Sequence, residues 1–149
     1  MHNGLDIIIV DDEPGICEVV SEIVNKFYIW GDVITFMDVD EAIEYCLNRE
    51  IGIAVFVVDV FLGGKSGFSF LDAIGKKFIS AHNDTIVITG KASDDIVNMC
   101  LASNISYLLE KPINRYSLQL SLQAITMKYL KFAQKLLKDP VFARSVAVI

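Results

Sequence analysis

The chain alternates short runs of apolar residues with longer stretches in which apolar residues recur every three or four positions. The short runs predict β-strands, and the longer stretches predict amphipathic helices. Several of the short runs consist almost wholly of Ile, Val and Phe, as expected for parallel strands covered by helices on both faces. Five strand–helix units therefore predict an α/β fold with a doubly wound parallel sheet. The predicted strands are residues 6–10, 33–37, 54–60, 85–89 and 107–109.

A predicted helix follows each strand. Asp38, Ser66 and Ser93 stand just before the second, third and fourth helices, where a side-chain oxygen can accept hydrogen bonds from free N–H groups of the first turn. Asn104 is expected to end the fourth helix because asparagine tolerates a left-handed backbone. The last helix is the longest and would span ~36 Å at ~1.5 Å per residue. The predicted helices are residues 14–27, 39–48, 67–79, 94–103 and 115–138.

Polar residues stand at the carboxyl ends of four predicted strands. In an open sheet of this kind, ligands bind beyond those ends. Each residue alone has a simpler explanation as a turn acid, a strand threonine or a surface lysine. Their occurrence at one edge of the sheet favours a functional site. The residues are Asp11, Asp12, Asp59, Thr89 and Lys111.

The stretch IIIVDDEP places Asp11, Asp12 and Glu13 side by side at the end of a buried strand. Neighbouring carboxylates repel one another, and a cation is needed to offset the charge. The carboxylates of Asp11, Asp12 and Asp59 together with a backbone carbonyl form a hard oxygen site that suits Mg²⁺. A nucleophilic carboxylate, a metal, a lysine and a hydroxyl donor together indicate phosphoryl transfer to an aspartate.

Over roughly residues 5–138 the sequence resembles the receiver domain of a two-component response regulator. The segments that carry the resemblance are IIIVDDEP, VVDVFLGGKSG, IVITGKAS and LLEKPI. The resemblance implies a flavodoxin-like sheet with strand order 2-1-3-4-5. It also implies a signalling switch, not an enzyme, that accepts a phosphoryl group on Asp59 from a sensor histidine kinase or a phosphotransfer protein. Such a domain assists its own phosphorylation and autodephosphorylation, with Mg²⁺ as cofactor.

The resemblance also assigns roles to individual residues. Four would bind Mg²⁺: Asp12 directly, Asp11 directly or through water, Asp59, and Phe61 through its main-chain carbonyl. Three would surround the phosphoryl group: Thr89 as a hydrogen-bond donor, Lys111 as its ion-pair partner, and Gly90 by leaving room.

Three positions depart from the family pattern. Leu108 stands where a switch aromatic is usual, and Tyr107, one residue earlier in the strand, should face the opposite side of the sheet. Gly63 replaces a stiffening proline, so the loop after Asp59 is expected to be more mobile. Phe61 lies two residues beyond Asp59, at a position that influences attack of water on the acyl phosphate. Because its side chain cannot position a water, we expect a slowly hydrolysing phosphoryl-aspartate.

Two other functions share parts of this pattern. Hydrolases and phosphotransferases with an aspartate nucleophile share this layout but carry a DxD motif on the first strand, and Asp11-Asp12-Glu13 departs from it. A degenerate module that is never phosphorylated would need no complete set of site residues. The intact set of Asp12, Asp59, Thr89 and Lys111 argues against that alternative.

Composition narrows the range of partners and locations. The net charge of −6 disfavours direct nucleic-acid binding by this domain. No apolar run approaches the ~20 residues of a membrane helix, and the amino terminus has no secretory signal, so the cytoplasm is expected. The three cysteines are too far apart for a disulfide framework or a zinc site and are expected to be reduced, buried thiols. His2 and His82 are expected at the surface.

The last predicted helix has two apolar lines, more than one sheet face can bury. We expect its protruding end to contact another protein or a second copy of the chain. A homodimer would use the fourth helix, the fifth strand and this last helix. Asp139-Pro140 should end the helix, which leaves residues 139–149 as a C-terminal tail or as the start of a linker to an output domain.

Overall fold

The computed structural model describes residues 4–147 and contains one sheet of five parallel strands. Two shorter strands between the third and fourth sheet strands form a separate antiparallel hairpin and are numbered with the others in chain order. The sheet order is β2-β1-β3-β6-β7, which is the predicted order 2-1-3-4-5 of the five sheet strands. The strands are β1 (Ile7–Val10), β2 (Val33–Phe36), β3 (Val55–Asp59), β4 (Phe61–Leu62), β5 (Lys65–Ser66), β6 (Thr85–Thr89) and β7 (Tyr107–Glu110).

Helices cover both faces of the sheet. Alternate side chains of each central strand enter two separate buried clusters. One cluster includes side chains of the first and fifth helices, and the other includes side chains of the second, third and fourth helices. The predicted flavodoxin-like α/β fold is therefore confirmed. The helices are α1 (Pro14–Phe27), α2 (Val39–Leu47), α3 (Gly67–Ile74), α4 (Asp94–Ala102), α5 (Arg115–Lys138) and α6 (Pro140–Ala147).

The predicted helix starts are confirmed in detail. The Asp38 carboxylate accepts hydrogen bonds from the backbone of α2, Ser66 forms a capping box at α3, and Ser93 accepts from the backbone of α4. Asn104 has a positive φ of 60° just beyond α4. The short polar side chains therefore supply the acceptors that the sequence predicts.

Several predicted bounds were wrong by one residue, and one helix was predicted too long. Strands predicted at 6–10, 33–37, 54–60 and 107–109 differ from the observed strands by one residue at one or both ends, and α2 and α4 each end one residue early. The third helix ends at Ile74 instead of residue 79, because Gly75 follows. Beyond it the backbone forms turns whose hydrogen bonds span three residues, such as the one from the N–H of Gly75 to the carbonyl of Asp72. Glycine lowers helix propensity by about 1 kcal/mol.

The loop after Asp59 is a tight hairpin, which the sequence did not predict. Its two strands, β4 and β5, pair antiparallel across Gly63 and Gly64. These glycines have φ angles of 55° and 91°, a backbone region that favours glycine. The expected mobility of this loop stays a prediction.

The C-terminal tail is helical over Pro140–Ala147, a feature that the sequence did not predict. Helix α5 ends at Lys138 as predicted, and Pro140 then opens α6. The Asp139 carboxylate accepts hydrogen bonds from the backbone N–H groups of Val141 and Phe142, at 3.1 and 3.0 Å. Proline is favoured in a first helical turn because the backbone N–H groups there have no partner within the helix, so the N–H that proline lacks costs no hydrogen bond.

Buried acids near the amino ends of the strands are paired. Asp6 is fully buried and lies 2.8 Å from the Arg49 guanidinium, and Asp84 accepts hydrogen bonds from Lys128 and Tyr129 of α5. These pairs fasten the loop after α2 and the distal half of α5 to the sheet.

All three cysteines are buried, as predicted. Among residues 4–147, no helix is long and apolar enough to cross a bilayer.

Candidate functional site

Asp11 and Asp59 come together because their strands are neighbours in register. Val10 of β1 pairs with Val58 of β3. Asp11 and Asp59 directly follow these two valines, so they lie side by side. Both carboxylates are almost completely buried. Their position at the carboxyl edge of the sheet, beside the point where the chain winds to opposite sides, is where ligands bind in this fold.

Lys111 reaches into this pair of acids from the loop after β7. Its ammonium lies 2.8 Å from Oδ2 of Asp59, 3.1 Å from Oδ2 of Asp11 and 3.2 Å from Oε1 of Glu13. The backbone N–H of Lys111 donates to the carbonyl of Thr89 at 2.8 Å, and the Lys111–Pro112 peptide bond is cis. One cation therefore faces three carboxylates, two of which are buried.

The backbone holds the two buried carboxylates from the other side. Oδ1 of Asp59 accepts a hydrogen bond from the N–H of Phe61 at 3.2 Å, and Oδ1 of Asp11 accepts from the N–H of Glu13 at 2.8 Å. Gly67 lies directly behind Asp59. A Cβ at that position would stand 2.7 Å from Cγ1 of Val58 and closer still to the carbonyl oxygen of Asp59. The Asp59 main chain is therefore packed tightly in place.

Burial and charge shift the acid–base behaviour of this group. Burial raises the pKa of Asp11 to about 6, an effect that the Asp59 charge increases and that the Glu13 N–H and Lys111 oppose. Burial alone would lower the pKa of Lys111. Hydrogen bonds and charge from Asp59 and Asp11 outweigh this effect, so the Lys111 pKa lies above its ordinary value. Lys111 therefore remains a cation, and the buried Asp11 carboxyl group retains its proton to a higher pH than an exposed aspartate does.

The carboxylates have the composition of a hard-cation site. Oxygens of Asp11, Asp12, Glu13 and Asp59 lie within 4.8 Å of one another. Oδ2 of Asp11 is buried and has no hydrogen bond of good geometry, although Lys111 is 3.1 Å away. Asp12 and Glu13 are exposed and open the cluster to water. A buried oxygen with unused acceptor capacity beside solvent-accessible carboxylates fits Mg²⁺, which binds one or two carboxylates and keeps several waters.

Thr89 and Gly90 lie at the end of β6, next to this cluster in the sheet order. The buried Thr89 hydroxyl donates to the carbonyl of Lys91 at 3.2 Å and accepts weakly from its N–H at 3.4 Å. It is therefore engaged within its own loop. A Cβ built on Gly90 would meet no heavy atom within 4 Å, so the space above this residue is open.

Tyr107 and Leu108 point to opposite faces of the sheet, as their alternation in β7 requires. Tyr107 packs against the cluster that includes α1 and α5, and Leu108 packs against the cluster that includes α2, α3 and α4. The aliphatic Leu108 thus occupies the side on which α4 lies. The aromatic ring of Tyr107 is separated from α4 by the sheet.

Two acids at the site were missing from the predicted set. Glu13 contacts Lys111, and its place in the run of three acids was a usable signal for a role in the site. Glu110 of β7 accepts a hydrogen bond from the N–H of Ala92 at 2.7 Å and so ties the loop before α4 to the last strand. A single acid at the end of a strand gave no sequence signal for that contact.

Comparisons with known proteins agree on one family. The sequence model of the response regulator receiver domain matches residues 7–123. The transcriptional regulatory protein CitT of Halalkalibacterium halodurans is 23% identical over 129 residues, which are 87% of this chain and 55% of CitT. The hybrid signal transduction histidine kinase D of Dictyostelium discoideum is 23% identical over 139 residues, 93% of this chain and 8% of the kinase.

Solved structures show the same fold. The chemotaxis protein CheY4 of Vibrio cholerae superposes with a TM-score of 0.70 at 23% sequence identity, covering 82% of this chain and 98% of CheY4. The chain thus corresponds to nearly all of that protein. In contrast, it spans about half the length of CitT and a small part of the Dictyostelium kinase.

Proposed function

Because the chain belongs to the response regulator receiver family, we propose that it is a phosphorylation-dependent switch in which Asp59 accepts a phosphoryl group from a histidine kinase or phosphotransfer protein. One observation supports this most directly: the Lys111 ammonium lies 2.8 Å from the buried Asp59 carboxylate, inside a group of acids. Receiver domains are signalling domains, and residues 5–138 form the unit that we assign to this role.

In the proposed reaction an Asp59 carboxylate oxygen attacks the phosphorus of a phosphohistidine. The new O–P bond forms as the P–N bond breaks, and the electron pair remains on the imidazole nitrogen of the donor. The Phe61 N–H and Lys111 hold the two Asp59 oxygens, so the nucleophile is oriented before the donor arrives. Lys111 then compensates charge on the transferred group.

We propose that Asp11, Asp12, Asp59 and the main-chain carbonyl of Phe61 hold Mg²⁺ at this site. The unused acceptor oxygen of Asp11 supports the assignment. When bound, Mg²⁺ supplies positive charge beside the phosphoryl oxygens, where negative charge must be stabilised. The chain contributes the buried Asp11 and Asp59 carboxylates, fixed by backbone hydrogen bonds, and the exposed Asp12, which keeps the approach open to water.

Thr89 would couple phosphorylation of Asp59 to a change in the loop before α4. To donate to a phosphoryl group, its hydroxyl must release the carbonyl of Lys91. That release loosens the loop before α4 and biases the face made by α4, β7 and α5. Leu101, Tyr116 and Leu120 on these helices are well exposed and supply apolar area for a partner or a homodimer. With Leu108 in place of an aromatic, we propose that the loop carries the change.

Intact-protein mass spectrometry tests the proposal. The chain is incubated with Mg²⁺ and acetyl phosphate, and the expected product carries one added phosphoryl group. Asp59→Asn should show no adduct, whereas Asp72→Asn, which removes an exposed carboxylate elsewhere, should be modified like the parent chain. A chain that forms no adduct, or an adduct that persists in Asp59→Asn, would contradict the assignment. Rapid catalytic turnover of the donor would instead indicate a phosphatase.

A further inference from the structure

Charge is divided unevenly between the end of the chain and the rest of it. Residues 128–147, which we name the basic hairpin, contain five Lys and Arg residues and one acid, a net charge of +4; Lys128 is paired with the buried Asp84, so the other four cations face outward. Residues 4–127 contain eight Lys and Arg residues and eighteen acids, a net charge of −10. Such asymmetry indicates an interaction surface more than a uniformly solvated one.

The basic hairpin is a defined structure. Helix α6 turns back on the end of α5, where the rings of Phe132 and Phe142 meet edge to face with centroids 5.7 Å apart. The Lys135 ammonium lies 4.3 Å from the Phe142 ring centroid. Leu137 and Val141 remain 86% and 69% exposed. The hairpin therefore presents aliphatic side chains within a basic surface that no other part of residues 4–147 covers.

A surface of opposite character lies along α2. A groove of about 610 Å³, which we name the acidic groove, is lined by Glu41, Glu44 and Glu50 together with the apolar parts of Tyr45 and Ile51. Arg49 also lines it, but its charge faces the fully buried Asp6, so the three glutamates determine the sign of the groove. Exposed Leu47 and Ile53 flank these residues in the chain.

The two surfaces lie on different sides of the sheet. Helix α2 contributes to the cluster shared with α3 and α4, whereas α5 contributes to the cluster shared with α1. We propose that the basic hairpin of one molecule docks into the acidic groove of a second copy. Lysines and Arg144 of the hairpin would then lie close to the glutamates of the groove. The exposed Leu137 and Val141 would pack against the apolar parts of Tyr45 and Ile51.

A second copy fits these observations better than an anionic membrane or nucleic acid. Either of those would attract the hairpin but repel the acidic remainder of the chain, which carries more charge. In a second copy that acidic remainder supplies the attraction. The contact joins unlike surfaces, so it closes either as a pair of molecules that exchange hairpins or as a ring, and otherwise extends as an open chain. It uses the distal end of α5 and not the exposed Leu101, Tyr116 and Leu120 of the face formed by α4, β7 and α5, and it does not depend on phosphorylation of Asp59.

Sedimentation equilibrium of the full 149-residue chain tests this contact. Association should be present at about 25 mM salt and weakened roughly tenfold at about 500 mM, because screening shortens the range of attraction between exposed charges. A hairpin-reversed variant carries Lys131→Glu, Lys138→Glu and Arg144→Glu. A groove-reversed variant carries Glu44→Lys and Glu50→Lys. Each variant alone should associate at least tenfold more weakly than the parent chain at low salt.

Mixing supplies the decisive comparison. The acidic hairpin of the first variant should fit the basic groove of the second, so an equimolar mixture should regain association that neither shows alone. Glu18→Lys with Glu22→Lys, two exposed acids of α1, makes the same charge change as the groove-reversed variant and should leave association unchanged. A monomer at low salt, a mixture that stays monomeric, or equal loss in the α1 control would overturn the proposal. So would a hairpin that binds phosphatidylglycerol vesicles in a chain that never self-associates.

Discussion

The Lys111 ammonium and the Asp59 carboxylate form an ion pair of 2.8 Å between residues 52 positions apart, and both side chains are nearly buried. Lys111 enters from the loop after β7, and Asp59 ends β3, with β6 lying between these strands. A buried ion pair adds little net stability, but loss of one member leaves the other uncompensated. The arrangement places one cation between two buried acids at a site that we assign to phosphoryl transfer.

Removing the cation should therefore be costly. In Lys111→Met the charges of Asp11 and Asp59 lose their shared partner, and we expect the free energy of unfolding to fall by about 3 kcal/mol at neutral pH. Lys65→Met breaks the ion pair with Asp40, in which the Lys65 side chain is 51% exposed and the Asp40 side chain 70% exposed. This change should alter the free energy of unfolding by less than about 0.5 kcal/mol. Urea unfolding of both variants measures the difference. Equal losses would show that the burial of Lys111 has no energetic consequence.

The raised pKa of Asp11 makes stability depend on pH. In the folded chain this pKa is about 6, above the ordinary aspartate value of 3.8, so between about pH 4 and pH 6 the unfolded chain loses a proton that the folded chain keeps. The contribution to stability is present below pH 4 and is lost as pH rises through 6. Asp11→Asn should remove this decline and raise the free energy of unfolding at pH 7 by about 2 kcal/mol.

Urea unfolding in magnesium-free buffer across this pH range measures the effect. Glu18→Gln, which neutralises an exposed acid of α1, serves as the control and should keep the slope of the parent chain. If Asp11→Asn retained the same slope as well, Asp11 would not be the group responsible.

Gly67 should be essential for the position of Asp59. Gly67→Ala places a methyl group against the main chain of Asp59 and against Val58, where the nearest side-chain atom would be 2.7 Å away. We expect loss of stability by about 2 kcal/mol and slower phosphorylation by acetyl phosphate, because the β3 end must shift. Gly15→Ala in α1 is the matched control, since a Cβ there meets nothing within 4 Å. It should be neutral or stabilise the chain by up to about 1 kcal/mol.

Hydrolysis of the phosphoryl-aspartate should be slow, because Phe61 offers no polar group beside Asp59. The Phe61 side chain is 66% exposed, so its replacement perturbs little packing. Phe61→Asn should accelerate loss of the phosphoryl group several-fold, since an amide can orient an attacking water. Phe61→Ala removes the ring without adding such a group and should accelerate it less. Intact-protein mass spectrometry over time measures the loss of the phosphoryl group. Loss from the parent chain within seconds would contradict the expectation.

The convergence of the candidate residues could be predicted before the fold was known, because parallel strands bring their carboxyl ends to one edge. That geometry placed Asp11, Asp59 and Lys111 together, and the register of β1 and β3 agrees. Other contacts had no comparable signal. Lys128 meets the buried Asp84 across 44 residues, and a lysine on an exposed helix looks the same in the sequence whether or not it has such a partner.

The last segment shows the same limit. Asp139-Pro140 predicted the end of α5 correctly, because proline has no N–H to continue the helical ladder. The same dipeptide also opens α6, with the Asp139 carboxylate as its cap, and this outcome depends on Phe142 finding the ring of Phe132. A short helix is marginal by itself and forms when tertiary contacts add to its propensity.

The sequence alone determined the order of strands and helices along the chain, most helix caps and the edge of the sheet at which the candidate site residues gather, because these follow from local periodicity and from the rules of parallel-sheet topology. Only the tertiary structure decided which acids Lys111 contacts, where the Thr89 hydroxyl donates and how the basic hairpin folds back, because side chains distant in the chain select partners by shape and charge once the sheet has formed.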